Sequence, residues 1–455
     1  MSVLGRSEAL ISERRAQGRL MLRHATLLLA AAACLAGTMA SARAESSALQ
    51  FPQRDDEIVE HLPAHVGDAA ERRATRAAER AQRDALAKHP DELGLALQAA
   101  HDALARGRLR GDPRELGVAE AAVATWWSQP EPPPGVRLVR ATVRQSQHEF
   151  AAALVDLDAL LATPAPLALR AQAELTRSGV HQVLGQYAEA EAGCRRLSGS
   201  DYASLGAGVR LSGLACLAEL ASLQGRTDLA AATLARLAGA PDAGSPANAG
   251  GEPAPAWLEL VRAELAQRRG DPAAGALFAA ALAGNPDVYT RCAYADWLLD
   301  AHRAAEAVAL LKGHEDADPA LLRLALAYKQ LHGARHALTV AATTMLGERF
   351  DAALLRGDRS HGREQSRYEL DLRGDARAAL ALAKSNWAVQ REPADALALA
   401  RCAHAAHHDA AAAPVWAFLR ETGGRDVRLV AGGPAAAPFV PVATAAAQPH
   451  PGSPS

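Results

Sequence analysis

Five short segments decide the fold: Gly185-Gln-Tyr-Ala-Glu-Ala190, Gly225-Arg-Thr-Asp-Leu-Ala230, Gly270-Asp-Pro-Ala-Ala-Gly275, His302-Arg-Ala-Ala-Glu-Ala307 and Gly374-Asp-Ala-Arg-Ala-Ala379. Each opens with a residue suited to a tight turn, and each is flanked on both sides by apolar residues at helical spacing. Less regular relatives begin at His148, Gly333 and His408. Successive starts are 37, 40, 45, 32, 31, 41 and 34 residues apart, so the unit is a pair of short helices joined by a turn. Such a unit cannot bury its apolar face alone and must stack on its neighbours.

Composition agrees with helices. Alanine supplies 111 of 455 residues while Phe, Trp and Tyr make up only 4%. A sandwich or barrel needs β-branched and aromatic side chains to fill it, whereas alanine favours thin, closely packed helices. Five positions after each turn start the residue is small: Ala153, Ala190, Ala230, Gly275, Ala307, Ala379 and Ala413, with Leu338 departing. Nine positions after the start stand Leu157, Cys194, Leu234 and Leu311, with undersized Ala279, Ala383 and Ala417 elsewhere. Pro164, Pro286, Pro319 and Pro393 mark the ends of second helices.

This pattern of turn, small residue and bulky residue, near a period of about 34, resembles the tetratricopeptide repeat (TPR) over residues 92–422. The resemblance implies an all-α, superhelical solenoid of antiparallel helix pairs, and a binding or scaffold role through its concave face. The sequence divides accordingly into a targeting segment at 1–44, an irregular segment at 45–67 and N-terminal helices at 68–128. A first stack of repeats is expected at 135–240, a linker at 241–255, a second stack at 256–422 and an Ala/Pro/Gly-rich disordered tail at 426–455. A proline-rich break at 129–135 follows Trp126 and Trp127, which are read as a packing cap. Trp387 and Trp416 are assigned to core volume that alanine leaves unfilled.

Residues 1–44 place Arg23 and His24 before an apolar run, Ala25–Leu35, and small residues ending Ala42-Arg43-Ala44. That order is a secretory signal peptide, with a mature chain from Glu45 and Met21 as an alternative start. Cys34 lacks the leucine three residues ahead that a lipobox needs, so periplasmic or secreted release is expected rather than lipid anchoring. No later segment is apolar and long enough to span a bilayer. Cys194, Cys216, Cys292 and Cys402 show neither C-x-x-C nor zinc spacing, and buried packing is expected of them.

Forty-nine basic residues, only four of them lysine, against 51 acidic residues exclude a basic nucleic-acid binder. No nucleophile elbow, phosphate loop, dinucleotide fingerprint or H-E-x-x-H is present, so neither an enzyme nor a cofactor is indicated. One chemical alternative is a metal site at His404, His407 and His408, because His404 and His408 share a helix face at i and i+4. The stronger signal lies six residues before the turns, on the face that lines the inner groove in TPR proteins. There Glu219, Glu264 and Asp296 recur in three consecutive units, with Gln267, Arg268, Trp257 and Tyr289 nearby. The expected partner is a protein or peptide carrying basic side chains, held along this acidic stripe.

Overall fold

In the computed structural model, residues 69–239, 256–355 and 362–429 are described. The expected signal peptide at 1–44, Cys34, the 45–67 segment, the expected linker at 241–255 and the residues beyond Leu429 lie outside them. Among the described residues there is no strand, and twenty α-helices succeed one another.

Helix α1 (Ala69–Lys88) precedes nine hairpins. These are α2 (Leu93–Arg110) with α3 (Arg114–Ala122), followed by a single turn, α4 (Ala124–Trp127), then α5 (Pro134–Ser146) with α6 (Phe150–Ala162) and α7 (Leu167–Val183) with α8 (Tyr187–Ser198). Next come α9 (Ala207–Leu223) with α10 (Thr227–Leu237), α11 (Ala256–Arg269) with α12 (Ala274–Gly284), and α13 (Val288–Asp300) with α14 (Ala304–Leu311). The last three are α15 (Asp318–His332) with α16 (Ala337–Leu355), α17 (Gly362–Arg367) with α18 (Ala376–Val389), and α19 (Pro393–Ala405) with α20 (Ala413–Thr422). A π-helical segment, Tyr368–Arg373, continues α17.

The quoted turns work by one left-handed residue. Gly185, Gly225, Gly270 and Gly374 have φ between 69° and 76°, and His148 and His302 hold φ of 60° and 58°. Two glycines are irreplaceable for a further reason: a Cβ on Gly225 would sit 2.1 Å from the Gly423 carbonyl oxygen, and one on Gly185 would sit 2.7 Å from the Phe418 ring. The small residues after the turns behave as expected, since Ala153, Ala190, Ala230, Ala307 and Ala379 are wholly buried. Over Gly275 the Trp297 indole packs so closely that a Cβ would lie 2.3 Å from it.

Several expectations are corrected. In the last hairpin the left-handed residue is His407, not His408 (φ 53°), so the tight slot belongs to buried Ala412 while Ala413 is exposed. After Gly333 the loop is longer by one residue, and Thr339 is buried where Leu338 points outward. After Gly270 a tight first turn, Ala274 N–H to the Asp271 carbonyl, slides the register by one, so Phe278 fills the core and Ala279 is exposed. Pro319 and Pro393 lie in the first turn of the following helices rather than ending the preceding ones, where their missing N–H is no loss. For the same reason the break at 129–135 ends early, since Pro134 already begins α5.

The two expected stacks are not separate cores. Leu234 and Leu237 of α10 share a cluster with Trp257, Leu258 and Val261 of α11, so packing runs through the linker's flanks. The tail's first residues are ordered by contact: Val427 N–H donates to the Arg268 carbonyl at 2.9 Å, and Leu429 is buried. Cys194 of α8 and Cys216 of α9 are joined by a disulfide across a Cα separation of 5.8 Å, whereas Cys292 and Cys402 are free and buried. Trp126 and Trp127 pack on the N-terminal core cluster, and Trp387 and Trp416 on the C-terminal one.

The last hairpin folds back across the middle of the array. Arg391 N–H donates to the Val183 carbonyl at 2.8 Å, and Phe418 packs against Tyr187 with ring centroids 5.8 Å apart. The turns at Gly185, Gly225 and Gly270 thereby meet Phe418, Gly423 and Val427. This return faces the surface that the first helices present.

Candidate functional site

Seven successive first helices, α7, α9, α11, α13, α15, α17 and α19, line one cavity of about 180 Å³. All seven residues expected at a partner-binding groove border it: Glu219, Glu264, Asp296, Gln267, Arg268, Trp257 and Tyr289. Glu219, Glu264 and Asp296, one from each of the consecutive first helices α9, α11 and α13, thus face one cavity. The surface is not an open acidic stripe, however. Facing it are Arg323, Arg363, Arg367, Arg401 and Arg428.

Each carboxylate has a different setting. Asp296 is gripped by two arginines, at 2.8 Å from Arg323 Nη2 and 2.9 Å from Arg367 Nη2. Glu219 takes one hydrogen bond through Oε1 from Gln182 Nε2 at 2.9 Å, and its Oε2 is buried with no partner among the described residues. Glu264 accepts from the Tyr289 hydroxyl. Gln267 Nε2 reaches Asp300 at 3.5 Å, and Arg268 Nη2 donates to Ser222 Oγ at 2.7 Å. Arg268 Nε, Trp257 Nε1 and Gln182 Oε1 are buried without a partner among the described residues.

Electrostatics separates these acids. Burial pushes Glu219 up to about 7, with the Glu264 charge adding to the effect, and the Gln182 hydrogen bond and Arg268 opposing it. Glu264 and Asp300 are raised chiefly by burial. Burial and the neighbouring Asp395 charge push Glu392 up to about 8. Burial would also raise Asp296, but the Arg323 and Arg367 charges outweigh it and hold the carboxyl well below the usual range. The opposing arginines are matched to carboxylates: Arg323 and Arg367 to Asp296, Arg363 to Glu392 and Asp395, Arg401 to Asp371, and Arg428 to Asp426. Arg391 lies over the Phe418 ring at 5.8 Å. Charge is therefore balanced at the Asp296 end and left under-compensated around Glu219 and Glu264.

The basic wall was missed in the sequence, with one recoverable signal. Once the last turn is placed at His407, the slot six residues earlier is Arg401, equivalent to Glu219, Glu264 and Asp296. The one-residue register error hid this basic residue at the end of the acidic series. The histidines are not gathered at the cavity: His404 Nδ1 stands 3.2 Å from Asp409 Oδ1, and His407 is consumed by the turn. Among the described residues no group of three or more His, Cys, Asp or Glu side chains is arranged to hold a metal ion. No helix there is long and apolar enough to cross a membrane.

No protein-family model matches the chain, and no curated protein matches it. Function is accordingly argued from the cavity itself.

Proposed function

We propose that this chain is a non-enzymatic binding or scaffold module of the bacterial cell envelope, a TPR-like solenoid that engages a protein or peptide through its concave face. The observation that carries the reading is the convergence of seven first helices on one cavity, with Glu219, Arg268 and Trp257 each presenting a buried polar atom that no described residue satisfies. An unsatisfied buried polar group costs about 1–3 kcal/mol, and several at one place are retained most economically where a ligand completes them. The secretory pattern of residues 1–44 supports export, and so does the Cys194–Cys216 disulfide, because such bonds persist in oxidising compartments.

A photo-crosslinking amino acid at Leu397, on the cavity wall, is expected to capture a discrete partner in envelope fractions, whereas one at the exposed Leu229 captures none. Crosslinks from Leu229 alone, or from neither position, refute a cavity-directed partner. N-terminal sequencing of the exported chain is expected to begin at Glu45, and an intact N-terminus in the cytoplasm refutes the envelope location.

A further inference from the structure

The Glu219–Glu264 end of the cavity has a chemistry of its own. Gln182 and Glu219 belong to α7 and α9, Trp257, Glu264 and Arg268 to α11, so three hairpins build it. Gln182, Trp257, Arg268 and Glu219 are all more than nine-tenths buried, at 7%, 7%, 8% and 9% exposure. Two of the unpartnered atoms, Glu219 Oε2 and Gln182 Oε1, are acceptors. Glu264 supplies a second carboxylate, close enough for its charge to disfavour ionisation of Glu219. Arg268 is hydrogen-bonded to Ser222 rather than ion-paired to either acid, and the Arg363 and Arg428 charges that also act on Glu264 are paired with Glu392, Asp395 and Asp426.

We propose that this end of the cavity receives a primary ammonium group on a short alkyl chain, its three donors meeting Glu219 Oε2, Gln182 Oε1 and Glu264. The inference rests on the binding-module reading and names the chemistry of its ligand. An ammonium has three donors and no acceptor, which matches two orphan acceptors beside a carboxylate. An anion is disfavoured because the arginines facing the cavity from the other hairpins are already paired with carboxylates. A hard divalent cation needs six or more oxygen ligands, more than this end provides. The Trp257 and Tyr289 rings line the path that an alkyl stem would follow.

The same chemistry has two sources, a lysine side chain of the partner and a free alkyl diamine. The unpartnered donors Trp257 Nε1 and Arg268 Nε favour the lysine, because a peptide brings carbonyl oxygens for them and a diamine does not.

The test is calorimetric titration of the full chain with Nα-acetyl-lysine amide, with 1,4-diaminobutane, and with Nα-acetyl-norleucine amide as the uncharged counterpart. Saturable binding of the lysine amide is expected at millimolar or lower concentration, none of the norleucine amide, and a loss of about tenfold or more in Glu219→Gln and in Glu264→Gln. Glu219→Gln is expected to melt no lower than the wild type, which separates loss of the site from loss of the fold. Binding of the diamine alone keeps the ammonium site but sets aside the peptide partner. No binding of either amine by the wild type, or undiminished binding by Glu219→Gln, overturns the inference and leaves the peptide reading to the crosslinking result.

Discussion

Replacing Glu219 by glutamine should stabilise the free protein at alkaline pH and leave it unchanged in acid. The carboxyl titrates near 7 in the folded chain against an ordinary value of 4.5, because burial and Glu264 disfavour its charge. A folded pKa raised above the unfolded one means that the native state binds the proton more tightly. Stability therefore falls as pH rises from about 4.5 to about 7, and is level above that. The difference of about 2.5 units at ~1.36 kcal/mol each amounts to about 3 kcal/mol. Glutamine keeps the shape, and the loss of charge assistance from Gln182 is already contained in the raised pKa, so the expectation at pH 8 is a gain of about 3 kcal/mol. Across about 340 described residues at ~2.1 cal/mol/K each, that gain is about 4 °C in melting temperature. Circular dichroism melts at pH 5 and pH 8 measure it. A variant that melts below the wild type at pH 8, or whose advantage persists unchanged at pH 5, refutes the assignment of an uncompensated carboxylate here.

Other outcomes follow from the same structure. Asp296→Asn should destabilise by about 3 kcal/mol, since it leaves Arg323 and Arg367 facing each other without their carboxylate, and chemical denaturation measures the loss. Because the Asp296 carboxyl is held below its ordinary value, its contribution should be fully present above about pH 4 and be lost only in strong acid, which acid titration of the wild type and variant will compare. Serine at both Cys194 and Cys216 should cost about 3 kcal/mol for a loop of 22 residues, and reduction of the denatured wild type should release two additional thiols in a colorimetric assay. Ala412→Leu should overpack its hairpin by about 1–3 kcal/mol while Ala413→Leu costs little, and equal melting of the two variants would contradict a turn at His407.

The sequence by itself determined the helical hairpins, because their causes are local. A residue tolerant of positive φ, a small side chain five positions on and apolar spacing near 3.6 are all read within one unit, and Gly185, Gly225 and Ala307 occupy the conformations their types suggest. The acidic slot was legible for a related reason: equivalent positions in stacked units fall on one surface, so Glu219, Glu264 and Asp296 needed only a correct register. Where local geometry shifted by a single residue, at His407 and after Gly270 and Gly333, the reading slipped with it. The tertiary structure alone decided what faces those acids. Arg363, Arg367 and Arg428 are 67 or more residues beyond Asp296 in the chain; Arg363 and Arg367 reach the cavity from α17, and Arg428 because the last hairpin packs across the turns at Gly185, Gly225 and Gly270. That return depends on Phe418 meeting Tyr187 and on backbone hydrogen bonds at Val183 and Arg268, contacts between units that no repeat pattern encodes. It narrows an expected open groove into a cavity, where burial and the arginines brought opposite together set which carboxylates stay charged.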